Sequence, residues 1–271
     1  MKYNELTIFS DLDGTLIPYE ANAKVSKRNE DAIRAFMADG GRFAVATGRS
    51  PIRAEAIVRQ VGVNFPCILF NGGAVFDFVS GEFIVKRFLP EDIWDYLEAM
   101  SAAIPGVGIV PNSDEPGYSQ DEEIALVDSI IAGKDPFQSK WRSNRASWFK
   151  VIVAVPVGLS EEFLSFTRSY NMQGLSIVKV HDRVYEILPE SVSKGAALEK
   201  MYEAGMLQRE KTVAIGDYFN DLEMIRVAGI GVSVKNAPNE LKSVSKYVTC
   251  SCEDDAVAHL IDALRSNKPA R

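Results

Sequence analysis

Short apolar runs alternate with amphipathic segments along the first third of the chain. Apolar spacing predicts a helix over residues 26–39, and the pair Ser50-Pro51 predicts the start of a second, because serine caps a helix and proline fits its first turn. Buried strands are predicted at residues 6–10, 43–46 and 67–70. Strands that alternate with helices in this way are typical of parallel βαβ units.

The pattern changes in the middle of the chain. Two apolar runs, residues 75–78 and 83–88, flank Ser80-Gly81 and predict a β-hairpin. Residues 111–120 are rich in Pro, Gly, Ser and acidic side chains, which predicts a loop. Further helices are predicted at 91–100 and 160–170, and further strands at 149–155, 175–180 and 184–188. This region therefore has enough elements to bury a core of its own.

The alternation of strand and helix returns after Ser191. Helices are predicted at 194–204, 221–228 and 253–265, and strands at 212–215, 230–234 and 247–249. The last helix is expected to begin at Ser251, because Asp254 stands three residues further on, as in a capping box.

The simplest assembly of these elements is an α/β protein with two domains. Residues 1–84 and 189–271 would form a doubly wound core domain around a parallel sheet, because both ends show the same alternation. Residues 85–188 would form an inserted α/β domain. At 271 residues the chain is long enough for this arrangement.

Composition and charge limit the class of function. With 46% hydrophobic and 25% charged residues the chain is typical of a globular protein, and no apolar stretch reaches the length of a membrane span. A net charge of −7 and the lack of a dense Lys/Arg cluster argue against nucleic acid as a partner. No secretion signal is visible, and Cys67, Cys250 and Cys252 are expected to be free thiols. We therefore expect a cytoplasmic monomer or homodimer that acts on a small molecule, away from membranes.

The most informative segment is Asp11-Leu12-Asp13-Gly14-Thr15, which directly follows the first predicted strand. Open α/β sheets bind ligands at the carboxyl ends of their strands, and Gly14 lets the chain turn there without a Cβ clash. One carboxylate can attack a substrate while the other transfers protons, and together they can hold a divalent cation. A calcium loop of the EF-hand type, the simplest alternative, would need Glu where the chain has Asn22.

Two further polar segments follow predicted strands. Thr47-Gly48-Arg49 offers a hydroxyl, an accessible backbone N–H and the start of a helix, which together suit an anion. The amide of Asn71 and the backbone of Gly72-Gly73 can also contact a substrate. The alternatives are an ordinary strand-to-helix turn for the first segment and a turn into the hairpin for the second.

Lys194 breaks a local rule. Ser193 is a predicted N-cap, so Lys194 falls in the first helical turn, where a cation opposes the helix dipole at a cost of a few tenths of a kcal/mol. Local rules tend to be broken where function requires it, and a lysine directed at a phosphate would explain the position. The alternative is a lysine whose side chain reaches to solvent.

The segment from Gly216 to Asp221 follows another predicted strand. Asn220 can cap the next helix, with Asp221 in its first turn and Glu223 completing the cap, so these three residues have a structural explanation. Asp217 does not. A third carboxylate at a strand end would complete an oxygen site for a hard cation such as Mg²⁺.

Taken in order, these motifs resemble those of the haloacid dehalogenase-like superfamily of phosphotransferases. The motifs are Asp11-Leu12-Asp13-Gly14-Thr15, Thr47-Gly48-Arg49, Lys194-Gly195 and Gly216-Asp217 with Asn220-Asp221. The insertion, Asn71-Gly72-Gly73 and the stretch Val234-Lys235-Asn236-Ala237 are similar to its Cof-type, class IIB branch. The resemblance implies a Rossmann-like core that carries a C2-type α/β cap domain.

The resemblance also implies a role for each motif residue. Asp11 is the nucleophile that takes up the phosphoryl group, and Asp13 is the general acid and base. Mg²⁺ is held by Asp11, by Asp217 and by the backbone carbonyl of Asp13 (in some members its side chain), with Asp221 supporting the metal shell. The phosphate is bound by Thr47, Gly48, Lys194, Asn220 and the backbone of Leu12. Further candidates for binding the substrate are Arg49, Asn71 and Gly72. An acid two residues after the nucleophile favours phosphate esters over halides, because an ester oxygen needs a proton to leave.

Two departures from the family pattern stand out. Bulky Tyr218 and Phe219 replace the small residue that commonly follows Gly-Asp, and they either narrow the site or simply pack. Asp255 stands where the family usually has Gly, which leaves the local turn open.

The leading hypothesis is a Mg²⁺-dependent phosphatase that acts on a small phosphorylated metabolite, a sugar or polyol phosphate, through an aspartyl-phosphate intermediate. The inserted domain would act as a lid, with Arg145, Trp148, His181 and Arg183 as loop candidates that also suit structural or surface roles. The alternatives are a phosphomutase or phosphotransferase with an acceptor other than water, and a non-catalytic binding protein on the same fold.

Overall fold

A computed structural model describes residues 6–20, 23–113, 141–143, 146–170, 173–181 and 183–266. The chain divides into two compact units, Met1–Val85 with Ser193–Arg271, and Lys86–Val192. Within the described ranges, none of the helices combines the length and the apolar character that crossing a bilayer requires. The three cysteines are free thiols, as expected.

Strands and helices follow the predicted order closely. The strands are β1 Thr7–Ser10, β2 Arg42–Val45, β3 Cys67–Leu69, β4 Ala74–Asp77, β5 Glu82–Lys86, β6 Gly108–Asn112, β7 Lys150–Ala154, β8 Leu175–His181, β9 Val184–Pro189, β10 Thr212–Gly216, β11 Ile230–Ser233 and β12 Tyr247–Val248. The α-helices of the described residues are α1 Lys27–Ala38, α2 Pro51–Val61, α3 Ile93–Ala103, α4 Ser160–Ser169, α5 Lys194–Glu203, α6 Leu222–Val227, α7 Asn239–Val244 and α8 Ala256–Ser266.

The main sheet of the first unit joins both ends of the chain. Its five strands run in the order β12-β11-β10-β1-β2, and all of the pairs are parallel. β1 lies in the interior of the sheet and is buried along its whole length, because Ile8 and Phe9 present apolar side chains to its two faces. The prediction of an α/β fold with a parallel sheet is therefore confirmed.

The third predicted strand departs from the parallel pattern. Although a single parallel bridge, Ala46 to Ile68, connects it to the end of β2, β3 forms its ladder with antiparallel β4. β3, β4 and β5 make a separate three-stranded sheet, and Gly81 turns the predicted hairpin at φ 75°. The predicted third strand therefore exists as β3 and is parallel to the end of β2 at one bridge, but it forms its ladder with β4 rather than within the five-stranded sheet.

Serine caps position the helices that surround the site. Ser26, Ser50 and Ser193 each accept a hydrogen bond from the backbone N–H three residues further on, and so fix the starts of α1, α2 and α5. The predicted start of the last helix was wrong. Cys252–Asp254 forms a 3₁₀ turn, Asp255 adopts a left-handed φ of 64°, and α8 begins after it.

Asp255 retains the backbone conformation for which glycine is favoured. Aspartate tolerates the left-handed region better than most residues, and the Asp255 carboxylate accepts a hydrogen bond from the Ser26 hydroxyl at the start of α1. The departure from the family pattern therefore leaves the turn in place and ties α8 to α1.

The second unit is built on an antiparallel sheet with the order β6-β7-β9-β8. Its core packs α3 and α4 against alternate residues of these strands, including Val151, Val153 and Ile187. Pro111 and Asn112, predicted as the start of a loop, instead end β6 and pair with β7.

The four loop candidates of this unit have different settings. Trp148 is buried in the core beside Trp94. Arg183 donates to the carbonyl of Val155, 3.3 Å away, and His181 ends β8. Arg145 lies outside the described residues.

Candidate active site

The ends of two neighbouring strands bring Asp11 and Asp217 together. β1 and β10 run parallel with Ser10 opposite Ile215, so the residues that follow them emerge at the same edge of the sheet. The backbone N–H of Asp11 donates to the carbonyl of Ile215 at 2.9 Å and holds this alignment. Carboxylate oxygens of Asp11, Asp217 and Asp221 all lie within 4.8 Å of one another, so acids from opposite ends of the chain share one site.

Lys194 lies at the centre of this acidic cluster. Its side chain is completely buried, and Nζ is 2.6 Å from Asp11 Oδ1 and 2.6 Å from Asp221 Oδ1. The alternative of a lysine that reaches to solvent is therefore excluded. Gly195 lets the first turn of α5 approach the next helix, because a Cβ there would overlap Glu223.

Burial and crowded charge perturb the ionisation of these groups. Burial, followed by the charges of Asp221, Asp217 and Asp13, raises the pKa of Asp11 well above its usual range, although Lys194 acts in the opposite direction. Burial and the charge of Asp221 raise the pKa of Asp217 to about 6. Burial alone would lower the pKa of Lys194, but Asp11 and Asp221 outweigh it and raise that pKa. The cluster thus holds more negative charge than one ammonium can balance.

Asp221 is a support for the site rather than a helix cap. Its Oδ2 accepts from the backbone N–H groups of Asp217 and Tyr218 at 3.0 and 3.2 Å, while Oδ1 faces Lys194. Gly216 makes room for this carboxylate, because a Cβ at that position would overlap it. Each Asp221 oxygen therefore has a donor.

The predicted capping of α6 was wrong. The helix begins at Leu222 without a side-chain cap, and the amide of Asn220 donates to Asn71 Oδ1 at 3.2 Å. Glu223 accepts a hydrogen bond from the hydroxyl of Ser193, the cap of α5. These side chains therefore join separate segments of the site instead of closing one helix end.

The predicted phosphate-binding segments lie side by side. The N–H of Asn71 donates to the carbonyl of Thr47 at 3.0 Å, and a Cβ on Gly48 would stand 2.9 Å from the Asn71 amide nitrogen. Asn71 is held in a left-handed conformation, with φ 55°, that few residues other than glycine, asparagine and aspartate adopt. Gly72, at φ 101°, packs so closely on the carbonyl of Ser193 that a Cβ would overlap it.

Arg49 and Asp13 form a two-pronged ion pair. Arg49 Nε lies 2.9 Å from Asp13 Oδ2, and a terminal guanidinium nitrogen lies 2.5 Å from Oδ1. The backbone N–H of Arg49 donates to the Thr47 hydroxyl, and Leu12 is buried, with a carbonyl that accepts from the N–H groups of Leu16 and Ile17. The carboxylate of Asp13 is thus directed at Arg49, apart from the three-acid cluster.

Two residues that the sequence analysis missed contact Asp217. The hydroxyl of Thr15 donates to Oδ1 at 3.3 Å, and the hydroxyl of Tyr19 donates to Oδ2 at 2.8 Å. Thr15 stood within the quoted motif, but no local signal marked Tyr19, whose partner is 198 positions away. Tyr218 and Phe219 are 39% and 44% exposed, so they do not simply pack in the interior.

The donor set fits a magnesium ion. Mg²⁺ binds through oxygen ligands, and three buried carboxylates present oxygens close enough to share one cation. Burial is the main cause that raises the pKa of Asp11 and brings that of Asp217 to about 6, and repulsion from the neighbouring carboxylates adds to it. A divalent cation would offset this repulsion.

The fold and the acidic site at its strand ends define a class of α/β hydrolases, and the comparisons identify the family. The chain matches the model of the haloacid dehalogenase-like hydrolase family over residues 8–261 and belongs to that family. The predicted family is therefore confirmed, and the chain is a hydrolase of that family.

Individual relatives extend over nearly the whole chain. A Streptococcus pyogenes protein that carries a provisional phosphatase name is 29% identical, covering 93% of this chain and 95% of its own. A Bacillus subtilis protein named 5-amino-6-(5-phospho-D-ribitylamino)uracil phosphatase YwtE is 27% identical, covering 96% and 98%. A solved sugar phosphatase described as subclass IIB superposes with a TM-score of 0.78 at 20% identity, covering 96% and 99%, in agreement with the predicted Cof-type, class IIB fold.

Proposed function

We propose that this protein is a Mg²⁺-dependent phosphatase of the cytoplasm that hydrolyses a small sugar or polyol phosphate through an aspartyl-phosphate intermediate. The observation that carries the proposal is the buried contact between Asp11 and Lys194 Nζ, 2.6 Å apart, inside the acidic cluster. Asp11 shares Lys194 with Asp221. The lysine is therefore placed to stabilise the negative charge of a phosphate that Asp11 attacks.

The names of similar proteins support the substrate class. The named substrate of the Bacillus subtilis relative carries its phosphate on a ribityl chain, which is a polyol. The solved neighbour of subclass IIB is described as a sugar phosphatase. Both names describe a phosphate on a small hydroxylated carbon chain, and we propose the same kind of substrate here.

In the first step, a carboxylate oxygen of Asp11 attacks phosphorus. The new O–P bond forms as the bond to the leaving oxygen breaks, and Asp13 gives that oxygen a proton so that it leaves as an alcohol. Lys194, between Asp11 and Asp221, would stabilise the charge on the phosphoryl oxygens.

In the second step, water attacks the phosphorus of the aspartyl phosphate. Asp13, now ionised, takes the proton from that water, and the bond between phosphorus and Asp11 breaks to release inorganic phosphate. Arg49 holds both oxygens of Asp13. A bound phosphate gives the guanidinium a second anion to contact, so substrate binding would free Asp13 to exchange protons.

Asp11, Asp217 and the backbone carbonyl of Asp13 would hold Mg²⁺, with Asp221 fixing the loop behind them. When bound, the ion supplies positive charge that offsets the repulsion between a carboxylate nucleophile and a phosphate dianion, roughly 4 kcal/mol for one charge pair at about 4 Å and an effective dielectric near 20.

A phosphate-release assay over a panel of sugar and polyol phosphates tests the proposal. We expect Asp11→Asn to lower turnover by more than about a thousandfold, because the amide is a poor nucleophile. Asp262→Asn, which makes the same change at a carboxylate whose side chain is 57% exposed, serves as the matched control. EDTA should abolish the phosphatase activity of the wild type, and added Mg²⁺ should restore that activity.

Three outcomes would count against the proposal. Turnover retained by Asp11→Asn would refute the assignment of Asp11 as the nucleophile. Activity that persists in EDTA would refute the requirement for a metal. Transfer to a second metabolite with little release of inorganic phosphate would favour the phosphomutase alternative.

A further inference from the structure

We propose that Tyr19 is a positioning residue for the metal site: its hydroxyl holds Asp217 so that the carboxylate is oriented toward the cation. This inference rests on the proposed Mg²⁺-dependent function. Tyr19 lies outside the motifs that identified the family and was not among the predicted site residues.

The contact joins an exposed ring to a buried acid. Tyr19 is 68% exposed, yet its hydroxyl donates to Oδ2 of Asp217, which is only 4% exposed, over 2.8 Å. Most of the ring surface is open to water, so a polar end placed on the surface could be satisfied without any protein partner. Its contact with a buried carboxylate 198 positions away therefore calls for a functional explanation.

The turn before Tyr19 directs the ring to this place. The N–H of Gly14 donates to the carbonyl of Ile17 at 2.7 Å, and the N–H of Ile17 donates to the carbonyl of Leu12 at 2.9 Å, so residues 12–17 form a closed loop. Tyr19 leaves this loop two residues later. The loop carries the phenol back over the residues that follow the nucleophile.

Gly14 provides the space that the contact needs. Its φ of +84° is disfavoured for residues with a side chain, and a Cβ there would overlap both the Tyr19 ring and Asp217 Oδ2. The glycine of the opening motif therefore has a second role beyond the turn. It lets the Tyr19 hydroxyl and the Asp217 carboxylate meet above the backbone.

Both oxygens of Asp217 are held by donors from one segment. Thr15 donates to Oδ1 and Tyr19 to Oδ2, so the carboxylate cannot rotate without losing a hydrogen bond. A carboxylate oxygen has more than one acceptor position, so a hydroxyl and a cation can share the group. Hydrogen bonds that orient a metal ligand in this way typically change metal affinity by about 10- to 100-fold when they are removed.

The test compares Tyr19→Phe with wild type by thermal unfolding over a range of Mg²⁺ concentrations, without substrate. The variant keeps the ring over Gly14 and removes only the hydroxyl. We expect the Mg²⁺ concentration that gives half of the maximal rise in Tm to increase about tenfold or more. Tyr247→Phe, which removes the same atom from the edge strand β12, is the matched control and should follow the wild type.

Kinetics give a second readout. For Tyr19→Phe, the Mg²⁺ concentration for half-maximal phosphatase activity should rise by the same factor, while kcat at saturating Mg²⁺ stays close to that of the wild type. An orienting hydrogen bond acts on the occupancy of the site, whereas a group that touches the substrate would change kcat.

The outcomes separate this inference from the function on which it rests. If Mg²⁺ stabilises the wild type and Tyr19→Phe equally, or stabilises the variant at lower concentrations, the positioning role is refuted and the phosphatase proposal stands. If Mg²⁺ does not stabilise the wild type at all, the metal site of the proposed function is refuted, and the role of Tyr19 with it.

Discussion

Two buried lysines of this protein, one in each unit, make ion pairs of different kinds. Lys150 lies on β7 and pairs with Glu186 on the neighbouring strand β9, and both side chains are less than a tenth exposed. Lys194 contacts Asp11 and Asp221, with Asp217 close by. The first contact joins a cation to an anion across two neighbouring strands, whereas the second faces one cation with three carboxylates.

The difference in charge balance distinguishes packing from chemistry. A buried pair of equal and opposite charges needs no further partner, and such pairs contribute little net stability compared with apolar side chains. Burial, together with the neighbouring carboxylates, raises the pKa of Asp11 and Asp217, and three carboxylates around one ammonium leave the site in need of more positive charge. Burial of a lysine therefore says less about function than the number of acids around it.

The largest difference expected between the two lysines is in kcat. Lys194→Met should lower kcat by about 10² to 10³, because it removes a preorganised donor from the place where phosphoryl charge develops. Lys150→Met, the same change at the other buried lysine, should leave kcat of the folded protein close to that of the wild type. Both are measured as phosphate release per folded molecule, and equal losses in the two variants would contradict the distinction.

The parts of this picture that depend on local chemistry were predictable from sequence. Ser50 and Ser193 marked the starts of two helices to within one residue, because a serine cap acts on the next turn of its own helix. The acidic motifs also placed Asp11 and Asp217 after predicted strands, and the structure brings these two strand ends together at the carboxyl edge of the sheet.

The parts that depend on distant partners were not predictable. Pro111 is typical of a loop, yet pairing with β7 makes it part of a strand. Asn220 carries a capping signal, but its amide contacts Asn71, 149 positions away. The contact of Tyr19 with Asp217 left no trace in the local pattern, because only the folded chain brings them together. Local rules gave way in each case to a contact made by tertiary structure.

The second largest effect is expected on the stability of the protein when Lys150 is replaced. Lys150→Met should lower the free energy of unfolding by about 3–5 kcal/mol, because the buried Glu186 carboxylate would lose its contact with the Lys150 ammonium. Replacing both partners, as Lys150→Met with Glu186→Leu, should restore most of that loss. Urea denaturation measures both, and a double variant no more stable than the single one would show that the pair does more than balance charge.

The smallest effect concerns protonation of Asp217 in the cluster around Lys194. The folded pKa of Asp217, about 6, lies above the unfolded value of about 4, so its contribution to the stability of the metal-free protein is fully present below pH 4 and is lost as the pH rises through 6. Mg²⁺ requires the ionised carboxylate and therefore competes with this proton. We expect the affinity for Mg²⁺ to rise about tenfold between pH 5 and pH 7, seen as a larger Mg²⁺-induced increase in Tm at the higher pH. The Lys150→Met, Glu186→Leu double variant should keep this pH dependence, because it leaves Asp217 and its hydrogen-bond donors unchanged. Asp217→Asn should lose it, and an unchanged dependence in that variant would place the competing proton on another group.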